Sequence, residues 1–271
     1  MRVRIILAPV MEPSFVPLDQ YGLASLIYRT VALVAPEYAE FLHKQGYRAG
    51  DPANPSPRKT FKLFTFSRPY LPDTLLNKGR DERAWFARGN VIWQVSSPKL
   101  EFMQALKQGL AAQPVITIGD RLGEAKFSVE SKEELLPPPM LTEMRCTTLS
   151  PLTASVTETD ANGARRKQFV WADDPRFGAL VVSNLKEKYR ALHGKEPDGE
   201  VSFAFDDAYI RQRGGVERIS KLALYKGTKI KAWQAPFTVT GDAELIRLGW
   251  ECGYGEANSK GFGMVEAAAR R

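Results

Sequence analysis

The chain has 271 residues, of which 44% are hydrophobic and 25% charged, a composition typical of a globular protein that excludes a disordered or low-complexity chain. It has no uncharged apolar stretch long enough to cross a membrane, and its apolar N-terminal run is too short for a signal peptide. We therefore expect a cytoplasmic protein without a membrane partner, and the net charge of +7 favours a polyanionic partner through counterion release.

The first half of the chain reads as a β-α-β-β-α-β unit. Residues 2–8 alternate charged and apolar side chains before becoming apolar, as in a half-buried strand, and residues 21–35 carry apolar side chains at helical spacing. The further predicted elements are a short helix at 36–45 that Gly46 ends, a proline-rich loop at 51–58, strands at 61–67 and 90–97, a helix at 98–110, and candidates for the next strand at 114–118 and 126–130.

The same order recurs after residues 133–139, whose three prolines predict an extended linker. The elements predicted beyond it are an extended stretch at 141–154, a helix at 175–193 that Gly194 ends, a strand at 200–205, two strand pieces within 221–239, a helix at 242–251 and a last strand at 261–268. We therefore predict an α+β protein of two tandem ferredoxin-like (βαββαβ) domains, residues 1–136 and 140–271.

Four glycines and an asparagine lie close together near the C-terminus, at Gly253, Gly255, Asn258, Gly261 and Gly263. Glycine lets the backbone approach a ligand closely, and successive backbone amides can bind phosphate. A dinucleotide site needs a third glycine where Asn258 stands and a strand-to-helix order, whereas this segment joins a predicted helix to the last strand. A tight turn without a ligand is the simpler interpretation. One turn does not need four glycines, so the pattern favours a functional loop and excludes a nucleotide cofactor.

Residues 253–266, with the sequence GYGEANSKGFGMVE, resemble the C-terminal signature of the repeat-cleaving CRISPR endoribonucleases, the Cas-six group of the repeat-associated RNA-binding superfamily. In that family a Gly-x-Gly is followed, several residues later, by Gly-Phe-Gly, a hydrophobic pair and often Glu. Weaker matches keep the family's order along the chain, at residues 61–67, 148–152, 177–189 and 226–231 and at Leu245. The resemblance implies two ferredoxin-like domains and CRISPR repeat RNA as the substrate.

Cleavage of RNA without a metal ion uses the ribose 2′-hydroxyl as the nucleophile, and it needs groups that transfer protons and a cation near the phosphorane. Histidine suits proton transfer at neutral pH, and the chain has two, His43 and His193, each near the end of a predicted helix. The residues alone do not separate them, because a histidine at a helix C-terminus also suits the helix dipole. The resemblance implies His43 as the general base, since family members place this histidine after the first helix in a Leu-His-x-x-Gly context.

The resemblance also implies a tyrosine in the first helix and a basic residue shortly after the histidine. Tyr28 fits the first place as a general acid or hydrogen-bond donor, with Tyr21 as its rival. Arg48 or Lys44 fits the second place as the cation that stabilises the phosphorane, and Arg29 is also near. The products implied are a 2′,3′-cyclic phosphate and a 5′-hydroxyl.

RNA recognition needs phosphate contacts and base contacts, and basic clusters in the second half of the chain are candidates for both. We expect the glycine-rich segment to guide the RNA backbone through Gly253, Gly255, Asn258, Lys260, Gly261 and Gly263. The other predicted RNA-binding residues are Arg211 and Arg213, in a loop before two glycines, and Lys229 and Lys231, with Lys226 and residues 165–167 as further basic candidates.

No set of His, Cys, Asp or Glu residues has metal-ligand spacing, and Cys146 and Cys252 are far apart, so we predict no metal, no cofactor and two buried free thiols. The expected partners are CRISPR repeat RNA and, among proteins, a second copy of the chain in a homodimer or the subunits of a CRISPR interference complex. The competing interpretation is a non-catalytic subunit that holds repeat RNA on the same scaffold. A small-molecule enzyme of this fold would need a nucleophile–base pair or a cofactor motif that we do not find.

Overall fold

The computed structural model of the chain describes residues 1–11, 14–16, 20–48, 59–71, 77–78, 85–87, 89–120, 123–139, 141–159 and 163–268. Within these ranges, helices and strands form two α+β units that follow each other along the chain. The predicted proline-rich loop at 51–58 lies outside the described residues. Among the helices described here, none is both long and apolar enough to cross a membrane.

The first unit is built around one antiparallel sheet. Its helices are α1 (Gln20–Ala32), α2 (Pro36–Lys44) and α3 (Leu100–Ala111), and its strands are β1 (Arg2–Pro9), β2 (Ser14–Val16), β3 (Tyr47–Arg48), β4 (Thr60–Phe61), β5 (Thr65–Phe66), β6 (Asn77–Lys78), β7 (Trp85–Ala87), β8 (Val91–Ser96), β9 (Val115–Asp120) and β10 (Gly123–Leu135). The main sheet has the order β5-β8-β1-β10-β9, with antiparallel neighbours throughout. The two strand candidates at 114–118 and 126–130 are therefore both strands. β9 lies at the edge of the sheet and is additional to the four strands of a ferredoxin-like arrangement.

The second unit repeats this arrangement. Its helices are α4 (Arg176–His193), α5 (Asp207–Gln212) and α6 (Ala243–Cys252), and its strands are β11 (Glu143–Thr148), β12 (Ser155–Thr159), β13 (Arg165–Phe169), β14 (Val201–Phe205), β15 (Ser220–Tyr225), β16 (Thr228–Trp233), β17 (Phe237–Gly241) and β18 (Val265–Ala267). The sheet has the order β14-β17-β11-β18, and two hairpins, β12-β13 and β15-β16, stand outside it. The prediction of two tandem ferredoxin-like units is confirmed.

The strand predicted at 61–67 is wrong as one element. It is divided into β4, which pairs with β3, and β5, which pairs with β8, because Leu63 has a positive φ of 54° that ends the extended backbone. The alternating apolar side chains that suggested one strand are divided between two hydrophobic cores. Phe61 and Leu63 are buried in the core of the second unit, whereas Phe64 and Phe66 are buried in that of the first.

Two predictions in the second unit also need correction. Arg211 and Arg213 do not lie in an irregular loop, because Arg211 belongs to α5 and Arg213 is the residue that caps its C-terminus. The local cause is Asp206, whose carboxylate accepts a hydrogen bond from the Tyr209 amide at 3.0 Å and so begins the helix. The last strand is shorter than predicted, since a 3-10 turn at Asn258–Lys260 precedes it and β18 begins at Val265.

Other local predictions are confirmed. Gly46 and Gly194 both follow a helix with positive φ, at 70° and 69°, as expected for glycines that end helices. Cys146 and Cys252 are buried free thiols. On β1 the side chains of Val3, Ile5 and Leu7 are fully buried and face the helices of the first unit, as the alternation of residues 2–8 predicts.

Arg2 joins the two units through a buried guanidinium. It lies on β1 of the first unit, is 2% exposed, and donates hydrogen bonds to the carbonyl oxygens of Trp250 at 2.6 Å and Val265 at 2.7 Å. Its guanidinium carbon also lies 3.9 Å from the centre of the Trp250 ring. Burial lowers the pKa of Arg2, which reflects the cost of desolvating its charge, and these contacts offset that cost.

Replacement of this arginine tests the contact between the units. Because Arg2→Ala leaves two buried carbonyl groups without this donor, we expect it to lower the free energy of unfolding by about 2–4 kcal/mol in a denaturant titration. Arg4→Ala is the matched control, since Arg4 lies on the same strand but pairs at the surface with Glu133, and its loss should cost less than about 1 kcal/mol. Equal losses for the two variants would contradict the role given to Arg2.

Candidate active site

Tyr28 and His43, two of the residues predicted for catalysis, lie side by side. Tyr28 is on α1 and His43 is in the last turn of α2, and their rings meet edge to face with centroids 5.8 Å apart and planes at 83°. Phe64 supports the tyrosine from another side, also edge to face with centroids 5.8 Å apart. His43 is exposed and Tyr28 is half-buried, so the pair lies at the surface.

The environment of Tyr28 favours its protonated form. Burial raises the pKa of the Tyr28 hydroxyl well above its ordinary value, and the nearby hydroxyl of Tyr225 raises it further. Tyr225 comes from β15 of the second unit and packs against the core of the first. At neutral pH Tyr28 therefore keeps its proton and can donate a hydrogen bond.

The rival residues lie elsewhere. Tyr21 meets Tyr225 edge to face at 5.6 Å and carries Lys226 over its ring at 4.9 Å. Arg29 donates a hydrogen bond to the Thr117 carbonyl oxygen at 2.9 Å, toward β9. The structure therefore brings Tyr28, rather than Tyr21, to His43. The second histidine, His193, is exposed at the end of α4 and packs against Tyr189, with ring centroids 4.3 Å apart.

The cations near His43 differ in their surroundings. Lys44 is exposed and pairs with Glu40 at 2.5 Å, and Arg48 is exposed on β3 opposite Thr60. A third cation, Lys62, was missed by the sequence analysis, and its ammonium donates a hydrogen bond to the His43 carbonyl oxygen at 3.2 Å. The sequence analysis did not suggest this contact, because it treated residues 61–67 as one strand. In the structure Lys62 lies between β4 and β5.

The glycines of the glycine-rich segment (residues 253–263) are buried against other parts of the protein. Gly263 has φ 75°, and a side chain there would meet the Tyr254 carbonyl oxygen, 1.9 Å from the position of its Cβ. Gly261 has φ 84° and lies against the Phe66 ring of the first unit, with 2.6 Å left for a Cβ. These glycines permit close packing at the junction of the units. Their predicted contact with RNA stays a prediction.

Hydrogen bonds from both units fix the segment. From the first unit, Gln20 donates to the Gly261 carbonyl oxygen at 2.6 Å and Thr65 donates to that of Phe262 at 3.0 Å. Inside the segment, the Asn258 side-chain amide donates to the carbonyl oxygens of Tyr254 at 3.1 Å and Phe262 at 3.0 Å. Asn258 therefore holds the loop closed on itself.

Lys188 fixes the start of the segment from α4. Its ammonium is fully buried and donates to the carbonyl oxygens of Gly253 at 2.7 Å and Gly255 at 2.9 Å. Burial lowers the pKa of Lys188 to about 8. The lysine is thus a buried structural cation whose charge is satisfied by backbone carbonyl groups.

Lys260 is the exposed residue of the segment, and it belongs to a cluster of positive charge. Its ammonium lies 5.0 Å from the centre of the Tyr225 ring. Burial, and then the charges of Lys167 and Lys226, lower the pKa of Lys260, so these three cations lie near one another. Such a cluster attracts an anion.

The other predicted RNA-binding residues are spread over the second unit. Arg213 stacks over the Tyr209 ring at 5.1 Å and lines a separate pocket, and Arg211 is exposed on α5. Lys231 lies 3.2 Å above the centre of the Trp171 ring, and Lys229 is exposed on the same strand, β16. The contact of these four residues with RNA stays a prediction.

A cavity of about 290 Å³ lies between the two units and the glycine-rich segment. Among its described lining residues is Asn184, whose buried side-chain oxygen has no hydrogen-bond partner in the described part of the chain. One carboxylate, that of Glu256, also lines it and pairs with Lys167 at 2.9 Å. The remaining charged lining residues are cations, Lys59, Lys62, Lys167, Lys188 and Lys260. The cavity is therefore suited to an anionic, polar ligand.

Among the described residues, no group of three or more His, Cys, Asp or Glu side chains is placed to hold a metal ion. The groups near His43 that can take part in chemistry are a phenol, an imidazole and cations. Such a set can move protons and stabilise a negative charge at phosphorus.

Comparison with known proteins gives consistent matches over nearly the whole chain. The family profile described as "CRISPR-associated protein Cas6, N-terminal" matches residues 16–132, and that described as "CRISPR associated protein Cas6, C-terminal" matches residues 136–267. The chain is similar to "CRISPR-associated endoribonuclease Cas6 1" of Methanocaldococcus jannaschii, at 28% identity over 91% of this chain and 84% of the relative.

Two further matches agree. The chain is 25% identical to "CRISPR-associated endoribonuclease Cas6" of Pyrococcus furiosus, over 93% of this chain and 83% of the relative. A solved structure titled "CRISPR associated protein Cas6" superposes with a TM-score of 0.76 at 26% identity and covers 99% of both chains. The similarity therefore includes both units and the glycine-rich segment.

The structural role of Asn258 can be tested in the protein without RNA. Because Asn258→Ala leaves the buried carbonyl groups of Tyr254 and Phe262 without this donor, we expect a loss of about 1–3 kcal/mol in the free energy of unfolding. The adjacent Ser259→Ala is the control and should stay within about 0.5 kcal/mol of wild type. An Asn258→Ala protein as stable as the control would show that the loop does not depend on this amide.

Proposed function

The chain belongs to the Cas6 family of CRISPR-associated proteins, and from this premise we propose that it is an endoribonuclease that cuts CRISPR repeat RNA in precursor transcripts to give guide RNAs. The observation that carries the proposal is the contact between Tyr28 and His43, whose rings lie 5.8 Å apart. Two similar proteins are named as endoribonucleases, which supports the same reaction class. The two buried free thiols fit work in the reducing cytoplasm.

The reaction proposed is an internal transesterification that needs no metal ion. The imidazole of His43 takes the proton of the ribose 2′-hydroxyl, and the 2′ oxygen forms a bond to the adjacent phosphorus. The bond from phosphorus to the 5′ oxygen breaks, and that oxygen receives a proton from Tyr28. The products are a 2′,3′-cyclic phosphate and a 5′-hydroxyl. The raised pKa of Tyr28 supports this role, since the phenol stays protonated until the strongly basic 5′ oxygen develops.

The RNA is proposed to reach this pair along the junction of the units. The basic cavity and the cluster of Lys167, Lys226 and Lys260 would attract phosphate groups, and aromatic rings such as that of Tyr225 beside Lys260 would contact unpaired bases. The side-chain oxygen of Asn184, which has no hydrogen-bond partner among the described residues, offers a polar contact inside the cavity. The cation beside the phosphorane, for which the sequence suggests Arg48 or Lys44, stays a prediction at this point.

The central test compares the two histidines. Purified wild-type, His43→Ala and His193→Ala proteins are incubated with repeat RNA from the accompanying CRISPR array in excess EDTA, and the products are separated on a denaturing gel. We expect wild type and His193→Ala to cut with equal rates, and His43→Ala to be slower by 10²–10⁴-fold, the contribution of a proton-transfer group. His193 is a matched control because it is also an exposed histidine at the end of a helix.

The same gel, with a binding assay beside it, separates the competing functions. Retention of the RNA without cutting by the wild type would favour a non-catalytic subunit that holds repeat RNA. Cutting that disappears in EDTA would contradict the metal-independent mechanism but leave the endoribonuclease. A His43→Ala rate within about tenfold of wild type would remove His43 from the mechanism.

Tyr28 is tested by removing only its hydroxyl. Since Tyr28→Phe keeps the ring that packs against His43 and Phe64, we expect the folding and the Kd for RNA to stay unchanged while the single-turnover cleavage rate falls by about 10²-fold or more. Tyr70→Phe, at an exposed tyrosine whose backbone pairs with Ile92 of β8, is the control and should cut at the wild-type rate. A wild-type cleavage rate for Tyr28→Phe would show that the Tyr28 hydroxyl takes no part in catalysis and that the ring contributes only packing.

A further inference from the structure

A carboxylate lies among the cations of the cavity between the units. It belongs to Glu256 of the glycine-rich segment, whose side chain is 16% exposed. One of its oxygens lies 2.9 Å from the Lys167 ammonium and accepts a hydrogen bond from the Ser155 hydroxyl at 2.8 Å. The other oxygen lies 3.9 Å from the Lys59 ammonium. Two ammonium groups and a hydroxyl therefore converge on the place of one anionic group.

The two lysines hold this carboxylate loosely. The side chains of Lys59 and Lys167 are 45% and 54% exposed, and Lys59 also pairs with Glu187 at 3.0 Å. Ion pairs of such exposed lysines contribute little to stability, because water competes for the charges and the long side chains lose entropy. The Glu256 carboxylate can therefore leave both lysines at a small cost, and an anion that attracts them more strongly can take its place.

A phosphodiester group of RNA suits the place that Glu256 holds. Like a carboxylate it carries one negative charge, and its two non-bridging oxygens can accept charge-assisted hydrogen bonds from both ammonium groups. RNA also gains from the release of counterions, which a carboxylate of the same chain does not provide. Lys188 and Lys260 line the same cavity and add to the attraction for a phosphate.

We propose that Lys59, Lys167 and Ser155 form a binding site for one backbone phosphate of the repeat RNA, an inference that rests on the proposed function. In the free protein the Glu256 carboxylate occupies this site, and the phosphate displaces it. The displacement lowers the affinity for any RNA that uses the site by the same factor. An RNA that makes few other contacts is then released, whereas one with many other contacts stays bound.

Removal of the Glu256 charge tests this displacement. In Glu256→Gln we expect the Kd for a repeat RNA with one 2′-deoxy nucleotide at the cleavage site, which blocks cutting, to fall by about fivefold through loss of the competing ion pairs. Glu200→Gln is the matched control, since Glu200 pairs with Lys186 at 2.5 Å and is not among the described lining residues of the cavity. At about 0.15 M salt its Kd should stay within about twofold of wild type. Melting temperatures within about 3 °C of wild type show that both variants fold.

The two lysines show whether the tighter binding comes from this site. In a protein that carries both Lys59→Met and Lys167→Met, Glu256→Gln should change the Kd by less than about twofold, because neither ammonium is left to be freed. A general effect of removing one negative charge would persist in that background. A Glu256→Gln protein that binds no tighter than wild type, or a gain that persists without the two lysines, would overturn the proposal and leave the proposed function intact.

A scan of the RNA backbone gives a second measurement that needs no change at Glu256. Neutral methylphosphonate linkages are placed one at a time along the non-cleavable repeat. At one linkage we expect the wild-type Kd to rise by about fivefold, while the Kd of the Lys59→Met, Lys167→Met protein does not respond to that substitution. A scan without such a linkage would contradict a phosphate at this site. If wild type binds no repeat RNA, the proposed function fails and the phosphate site fails with it.

Discussion

Residues 61–66 belong to two hydrophobic cores at once, and this sharing determines how the two ferredoxin-like units sit together. Phe61 and Leu63 face the second core, and Phe64 and Phe66 face the first. Full burial of one such side chain contributes about 1.5–3 kcal/mol, so that separating the units would expose either pair at a cost of several kcal/mol. Two small domains joined by a linker usually move relative to each other, but a stretch that is anchored in both cores holds these two units together.

The end of α6 is the second constraint, and it involves two buried cations. The last carbonyl groups of a helix lack partners within the helix and carry a partial negative charge. Here Arg2 donates to the Trp250 oxygen and Lys188 to the oxygens of Gly253 and Gly255, so a strand of the first unit and a helix of the second meet at one helix end. Burying these charges is costly by itself, which lowers both pKa values, and the converging carbonyl groups offset the cost. The glycine-rich segment begins at this helix end, where the backbone turns sharply and glycine is favoured because it has no side chain.

Much of the fold was predictable because each unit follows local rules. The alternation on β1, the glycines that end α2 and α4, and the order of elements all appeared in the sequence. The stretch 61–67 failed for a definite reason, since a period of two normally means one strand with one buried face, and here the two faces serve different units. Of the candidate site, Tyr28 and His43 were named together because the family resemblance implied a tyrosine in the first helix and a histidine after it. Lys62 and Tyr225 were missed because their contacts with that pair come from distant parts of the chain.

The same contacts explain why the proposed site, although its two main residues lie in the first unit, also depends on the second unit. Tyr28 and His43 are both carried by the first unit, yet the hydroxyl of Tyr225, on a hairpin of the second, adds to the raised pKa of Tyr28. The ammonium beside His43 belongs to Lys62, whose backbone is held by two side chains in the second unit's core. The glycine-rich segment accepts hydrogen bonds from Gln20 and Thr65 of the first unit and so helps to hold the two units together. The glycine-rich segment thus joins the two units around the proposed site.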